Sequence, residues 1–132
     1  MIQPNLIDIY LDDNGDIAVG SNGDIKIARD GDVVAQEIRF RLKTTRGDYL
    51  LVPECGCDLE LLIGAANAPR TGALMEAYIS QGLTHDNWLQ GELKQVRAVP
   101  ISPEQLAAFI IIEYGDVSFQ QSVTLDLKEG IF

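Results

Sequence analysis

The chain has 132 residues, enough for one domain of ordinary size and too few for two. Lysines and arginines number 10 and acids 20, a net charge of −10, with 46% apolar and 23% charged residues. That balance excludes collagen-like, mucin-like and wholly disordered chains. The shortage of clustered cations argues against a nucleic-acid partner.

The opening Met1-Ile2-Gln3-Pro4-Asn5 has no basic run leading into an apolar stretch, so it does not read as a signal peptide. The apolar run at 106–112 falls far short of the ~20 residues that cross a bilayer, and no membrane partner is expected. Cys55 and Cys57 stand one residue apart, which leaves little room for an unstrained disulfide between them. Reduced thiols in a cytosolic setting are the expectation. The only histidine, His85, is remote in sequence, so no metal site is expected. No phosphate-binding or dinucleotide-type glycine run precedes a helix, and no cofactor is expected.

In chain order, Leu6, Ile7, Ile9 and Leu11 form a short strand-like run. Asn14-Gly15-Asp16-Ile17 recurs as Asn22-Gly23-Asp24-Ile25, with Asp30-Gly31-Asp32-Val33 as a degenerate third copy. Asn-Gly signals a tight hairpin, because a type I′ turn needs positive φ at both central residues. Residues 17–19 and 25–27 read as the short strands between. Asp12, Asn14 and Asp16 alternate as in a calcium loop, but Ile17 stands where the loop needs glycine, and solvated turns are the better reading.

The period then changes. Val34, Ile38 and Leu42 are four apart and predict a helix over 32–43, with Asp30 or Asp32 capping its start. Residues 33–47 hold Arg39, Arg41, Lys43 and Arg46 against one acid, a local +3 in an acidic chain. That cluster is a candidate docking surface for an acidic partner. Residues 44–48 break the helix, 49–52 form a short extended run, and 53–58 form a tight loop. Asp58 is placed to cap a short helix at 59–63, and Thr71 a long one reaching about Gly82, with Leu74, Tyr78 and Ile79 facing inward.

The end of the chain is β. Residues 93–99 are extended, 100–103 turn, and 106–114 are apolar enough for a central strand buried on both faces. Residues 117–127 alternate and pair with that strand as a hairpin. The expected architecture is α+β: two amphipathic helices packed on a C-terminal antiparallel sheet of about three strands, with an N-terminal β-hairpin extension. The single domain divides into a turn-rich extension, 1–31, and a core, 32–132.

The order of these pieces resembles a known family. A capped helix leads into Thr44-Thr45-Arg46-Gly47, a short extended run, Pro53-Glu54-Cys55-Gly56-Cys57-Asp58-Leu59, a second helix and a β-rich end. This looks like the small baseplate wedge family of contractile phage tails, the gene-25/W-like group, similar also to the TssE subunit of type VI secretion. The resemblance implies a non-enzymatic structural subunit, assembled in the host cytoplasm into the virion tail baseplate. Its implied partners are other wedge proteins, the tail sheath protein, and tube or hub proteins. It would link the wedge to the first sheath ring and help start sheath assembly, with strand addition at an edge within 106–127 contributing.

The residues expected to carry docking are Arg39, Arg41, Arg46, Gly47, Pro53, Glu54, Gly56 and Trp88. Gly47 and Gly56 admit backbone conformations closed to other residues, and Pro53 fixes the chain direction between them. Many members of the family carry Glu-Pro-Arg after the second long helix. Residues 83–89 lack it here, and Trp88 stands there as either a hydrophobic anchor or a core side chain. Two rival functions remain. One is a muramidase using Glu54 or Glu113 as general acid, although no separated carboxylate pair stands out. The other is a small acidic adaptor for a basic regulator.

Overall fold

The computed structural model describes residues 7–12, 14–51, 53–84 and 91–131. The core element is an antiparallel sheet in the order β3 (Glu92–Ser102), β4 (Gln105–Tyr114), β5 (Val117–Asp126) and β6 (Gly130–Ile131). Two helices, α1 (Gly31–Lys43) and α2 (Pro69–Thr84), cover one face of it, with a 3-10 turn at Leu59–Leu62 between them in sequence. The α+β expectation holds, with a fourth strand added. That strand is two residues long, too short to leave a periodic signal.

Alternation decides what the sheet buries. Leu106, Ala108, Ile110 and Ile112 of β4 point into the core with Val123 and Leu125 of β5, while Phe109 and Glu113 face out. The strand is therefore not buried on both faces. Phe109 lies 39% exposed on an uncovered surface, and Glu113 sits beside the Lys94 Nζ at 3.7 Å rather than inside. The expected turn at 100–103 is also displaced. Pro100 and Ser102 belong to β3, which Pro100 joins at a register irregularity.

The helices form for the anticipated reason. Val34, Ile38 and Leu42 of α1 are buried against Met75, Ile79 and Leu83 of α2 and the strands behind them. The capping expectations fail in instructive ways. The Asp30 side chain makes no capping bond; its carbonyl instead accepts from the Val33 and Val34 amides at 3.1 and 3.2 Å. Gly31 is needed there because a Cβ would stand 2.6 Å from the Phe119 ring of β5. Thr71 lies inside α2, with its hydroxyl donating to the Ala66 carbonyl.

The N-terminal extension is a small ribbon. Strand β1 (Ile7–Ile9) pairs antiparallel with β2 (Ile27–Arg29), and bridges join Leu11 to Ile17 and Val19 to Ile25. Its turns are wider than type I′. Gly15 and Gly23 have positive φ, but Asn14 and Asn22 do not. Aspartate side chains brace the first turn: the Asp12 carboxylate accepts from the Asn14 and Asp16 amides. The carboxylate thus does the work of an Asx turn. Among the described residues no group of three acids, cysteines or histidines is placed to hold a metal. Gln36 of α1 moors the ribbon by its edge. Its Nε2 donates to the Ile9 carbonyl at 2.8 Å and its Oε1 accepts from the Leu11 amide at 2.9 Å.

The alternation in β4 makes a direct prediction. Ile110→Ala should cost about 2–5 kcal/mol, while Phe109→Ala, one residue away, should cost about 1 kcal/mol or less. Urea midpoints of the two variants check it; equal losses would mean the outer face is covered.

Candidate docking surface

The segment singled out by sequence is a closed joint between α1 and α2. Helix α1 ends with carbonyls that have no partner inside the helix. The amide of Cys57 reaches two carbonyls at that end at once, donating to Arg41 at 3.1 Å, which also accepts from the Thr44 amide at 3.3 Å, and to Thr44 at 3.0 Å. To reach them the chain must pass directly over Thr44. Gly56 makes that possible: its φ is +137°, and a Cβ would lie 2.4 Å from the Thr44 oxygen and 2.9 Å from the Arg46 nitrogen. Gly82 does the same from the other side, where a Cβ would meet the Gly56 oxygen and the Cys57 sulfur at 2.5 Å.

Side chains complete the joint. Asp58 was expected to cap the following turn, but it makes no capping bond. Its carboxylate accepts from the Arg46 amide at 2.8 Å and the Arg46 Nε at 2.5 Å. The Asp58 side chain is buried and the Arg46 side chain is 46% exposed. The amide bond is therefore the stronger anchor, since exposed ion pairs contribute little. Arg41 is drawn inside rather than joining the surface cluster. It is 7% exposed, and its guanidinium donates to the Gly82 carbonyl at 3.3 Å. Arg39 is half-buried and lines a hollow beside the first turn of the ribbon with Asp12, Asn14 and Lys43.

What the joint presents was not expected. The Gly47 amide donates to the Pro53 carbonyl at 2.8 Å, which pinches off the intervening residues as a projecting loop. Tyr49, Leu50 and Leu51 form turns there, not the extended run predicted. Leu50 is 87% exposed and Leu51 81%. Tyr49 rests edge-on against Phe40 of α1, the ring centres 5.4 Å apart. An apolar tip on a braced base is how an interface anchor is presented. The sequence carries a signal for it: four apolar residues in a row, 49–52, between Gly47 and Pro53, with no alternation to give a strand a buried face. Trp88, with His85, lies outside the described residues.

The chemistry of the joint is muted. Burial pushes the Cys57 thiol up to about 12, with the Arg41 charge only partly opposing it. Cys55 and Cys57 are both buried and not disulfide-bonded. Glu54 is exposed at a niche of about 10 Å³ lined by Arg46, Gly56, Tyr78 and Gly82, room for one water at most. Glu54 lies at the joint beside Tyr78 of α2, while Glu113 lies on β4 next to Lys94. Among the described acids the one pushed upward is Glu37, in a hollow of about 290 Å³ between ribbon and loop, lined also by Asp8, Phe40 and Tyr49. Burial raises its carboxyl above the usual range, the nearby Asp8 charge raises it further, and Arg41 pulls it back. No pattern in the sequence pointed to it.

With that geometry in hand, one solved structure is informative. It is a protein from Geobacter sulfurreducens. It carries the name "putative tail lysozyme". The two share a fold with a TM-score of 0.64 and 25% identity, over 74% of this chain and 90% of that one. No protein-family model and no curated protein matches the chain. None of the helices described is long and apolar enough to cross a membrane.

Two predictions follow from the joint's packing. Gly56→Ala should cost about 3 kcal/mol or more, combining left-side φ with backbone overlap, whereas Gly47→Ala, at φ +95° in open space, should cost about 1–2 kcal/mol. Thermal or urea unfolding separates them. Cys57 should resist iodoacetamide at pH 8 in the folded chain and react on unfolding, because its thiolate is scarce; mass spectrometry of the labelled peptide reads this, and labelling at the rate of a free thiol would contradict the burial.

Proposed function

We propose that the chain is a structural subunit of a phage-like contractile tail baseplate, joining wedge proteins to the first sheath ring. The observation that carries this is the braced loop, with Leu50 and Leu51 held out in water by the Gly47–Pro53 closure. The fold shared with a protein named as a tail lysozyme supports it. Arg46 and Glu54 lie at its base and supply polar groups there; Arg41, Gly47, Pro53 and Gly56 hold its shape, and Arg39 lies apart from it, beside the ribbon.

Strand addition is assigned to one edge. β4 is paired on both sides and has no free edge. On β3 the outward amide of Ala98 donates to the Glu76 carboxylate at 3.0 Å, and Pro100, two residues on, has no amide to offer. On β5 only Leu125 and Asp126 pair with β6. Among the described residues no strand pairs with 117–124 on the side away from β4. A sheath or wedge strand would add there.

A muramidase remains the second reading, favoured by the raised Glu37 beside Asp8 in an open hollow. Clearing of peptidoglycan in a zymogram by wild type, lost in Glu37→Gln, would establish it. For the structural reading, Leu50→Asp with Leu51→Asp should leave stability within about 0.5 kcal/mol while abolishing sheathed tails, counted by negative-stain electron microscopy of the producing cells. Normal tails from that variant would refute the role of the loop.

A further inference from the structure

The N-terminal ribbon is built with its apolar face outward. The register Ile7↔Arg29, Asp8↔Ala28, Ile9↔Ile27 fixes which side chains share a face. Ala28 is fully buried and Asp8 borders the α1 side, so that face looks inward. Lys26, also on that side, lies over the Tyr10 ring at 4.1 Å. The other face carries Ile7, Ile9 and Ile27, with Arg29 across from Ile7, and with Ile17, Val19 and Ile25 the ribbon shows six β-branched aliphatics, each 46–71% exposed. A one-residue slip in pairing would exchange the faces. The Gln36 clamp and the two glycine turns hold the register that leaves the isoleucines in water. A ribbon that turns six aliphatic side chains to water, with Arg29 as the one cation at the edge of their face among the described residues, is incomplete on its own.

Charge identifies what completes it. Residues 7–32 contain seven aspartates against Lys26 and Arg29, a net of −5. Asp16 and Asp24 stand exposed at the turns that border the aliphatic side chains. A second copy of the chain would bring the same acidic border against itself and be repelled. We propose that this face docks a basic protein segment, in which aliphatic side chains meet the isoleucines and lysines or arginines meet the aspartate turns. The surface is separate from the Leu50–Leu51 loop and stands whether or not the baseplate reading does.

The test uses the full chain and two synthetic peptides of about ten residues, one alternating isoleucine with lysine, the other isoleucine with glutamate. Binding is followed by titration calorimetry and by amide shifts in nitrogen-15 spectra. The lysine peptide should bind, shift amides within 7–29, and weaken about tenfold or more between about 50 and 500 mM salt; the glutamate peptide should not bind. Ile17→Ser with Val19→Ser and Ile25→Ser should weaken the lysine peptide about tenfold or more. A second variant guards against loss of fold in the first: Asp16→Lys with Asp24→Lys should transfer preference to the glutamate peptide. Equal binding of both peptides, binding of neither, shifts confined outside the ribbon, or a wild-type dimer in sedimentation that the serine variant abolishes would each overturn the proposal.

Discussion

Everything near the candidate surface depends on one close approach of backbone to backbone. The Gly56–Cys57 peptide lies between the end of α1 and Gly82 of α2, with no side chain on either glycine to hold them apart. That contact lets one amide reach two helix-end carbonyls. It also explains why a guanidinium is found inside: Arg41 reaches the Gly82 carbonyl because the two helices are drawn together at that point. Helix ends fray when their carbonyls are left to water, and loops anchored only by side chains move. Here the two problems solve each other, and the loop beyond inherits the stiffness of the helices.

The charge of the molecule is consequently distributed differently from its sequence. The cations of α1 read as a single basic face. In the folded chain Arg41 is internal, Arg46 is engaged by Asp58, and Arg39 lies partly covered beside the ribbon. The aspartates of the ribbon stay outside. The exposed surface there is consequently less basic than a local count of charges implies, and its most prominent feature is the apolar tip of Leu50 and Leu51.

The fold was legible where burial imposes a period. The 34/38/42 spacing gave α1, and the alternation over 117–126 gave β5. Legibility failed where a side chain's partner is distant in sequence. Asp58 looks like a cap from its neighbours alone; only the fold brings Arg46 within reach. Ile110 and Phe109 look alike in a run of apolar residues, and only pairing decides which one faces the helices. The joint was found because Gly56 and Pro53 are conspicuous, yet the need for Gly82, on another helix, left no local mark. Glu37 leaves no local mark for the same reason, since its environment comes from burial in the folded chain and from Asp8 on the ribbon.

The capped margin of β3 has a consequence for growth. Glu76 occupies the Ala98 amide and Pro100 removes the next one, while among the described residues no strand pairs with 117–124 on the opposite margin of the sheet. Such a sheet has a polarity. A strand that added to it would find free backbone partners more readily beside β5 than beside β3, where Glu76 and Pro100 interrupt the row of amides.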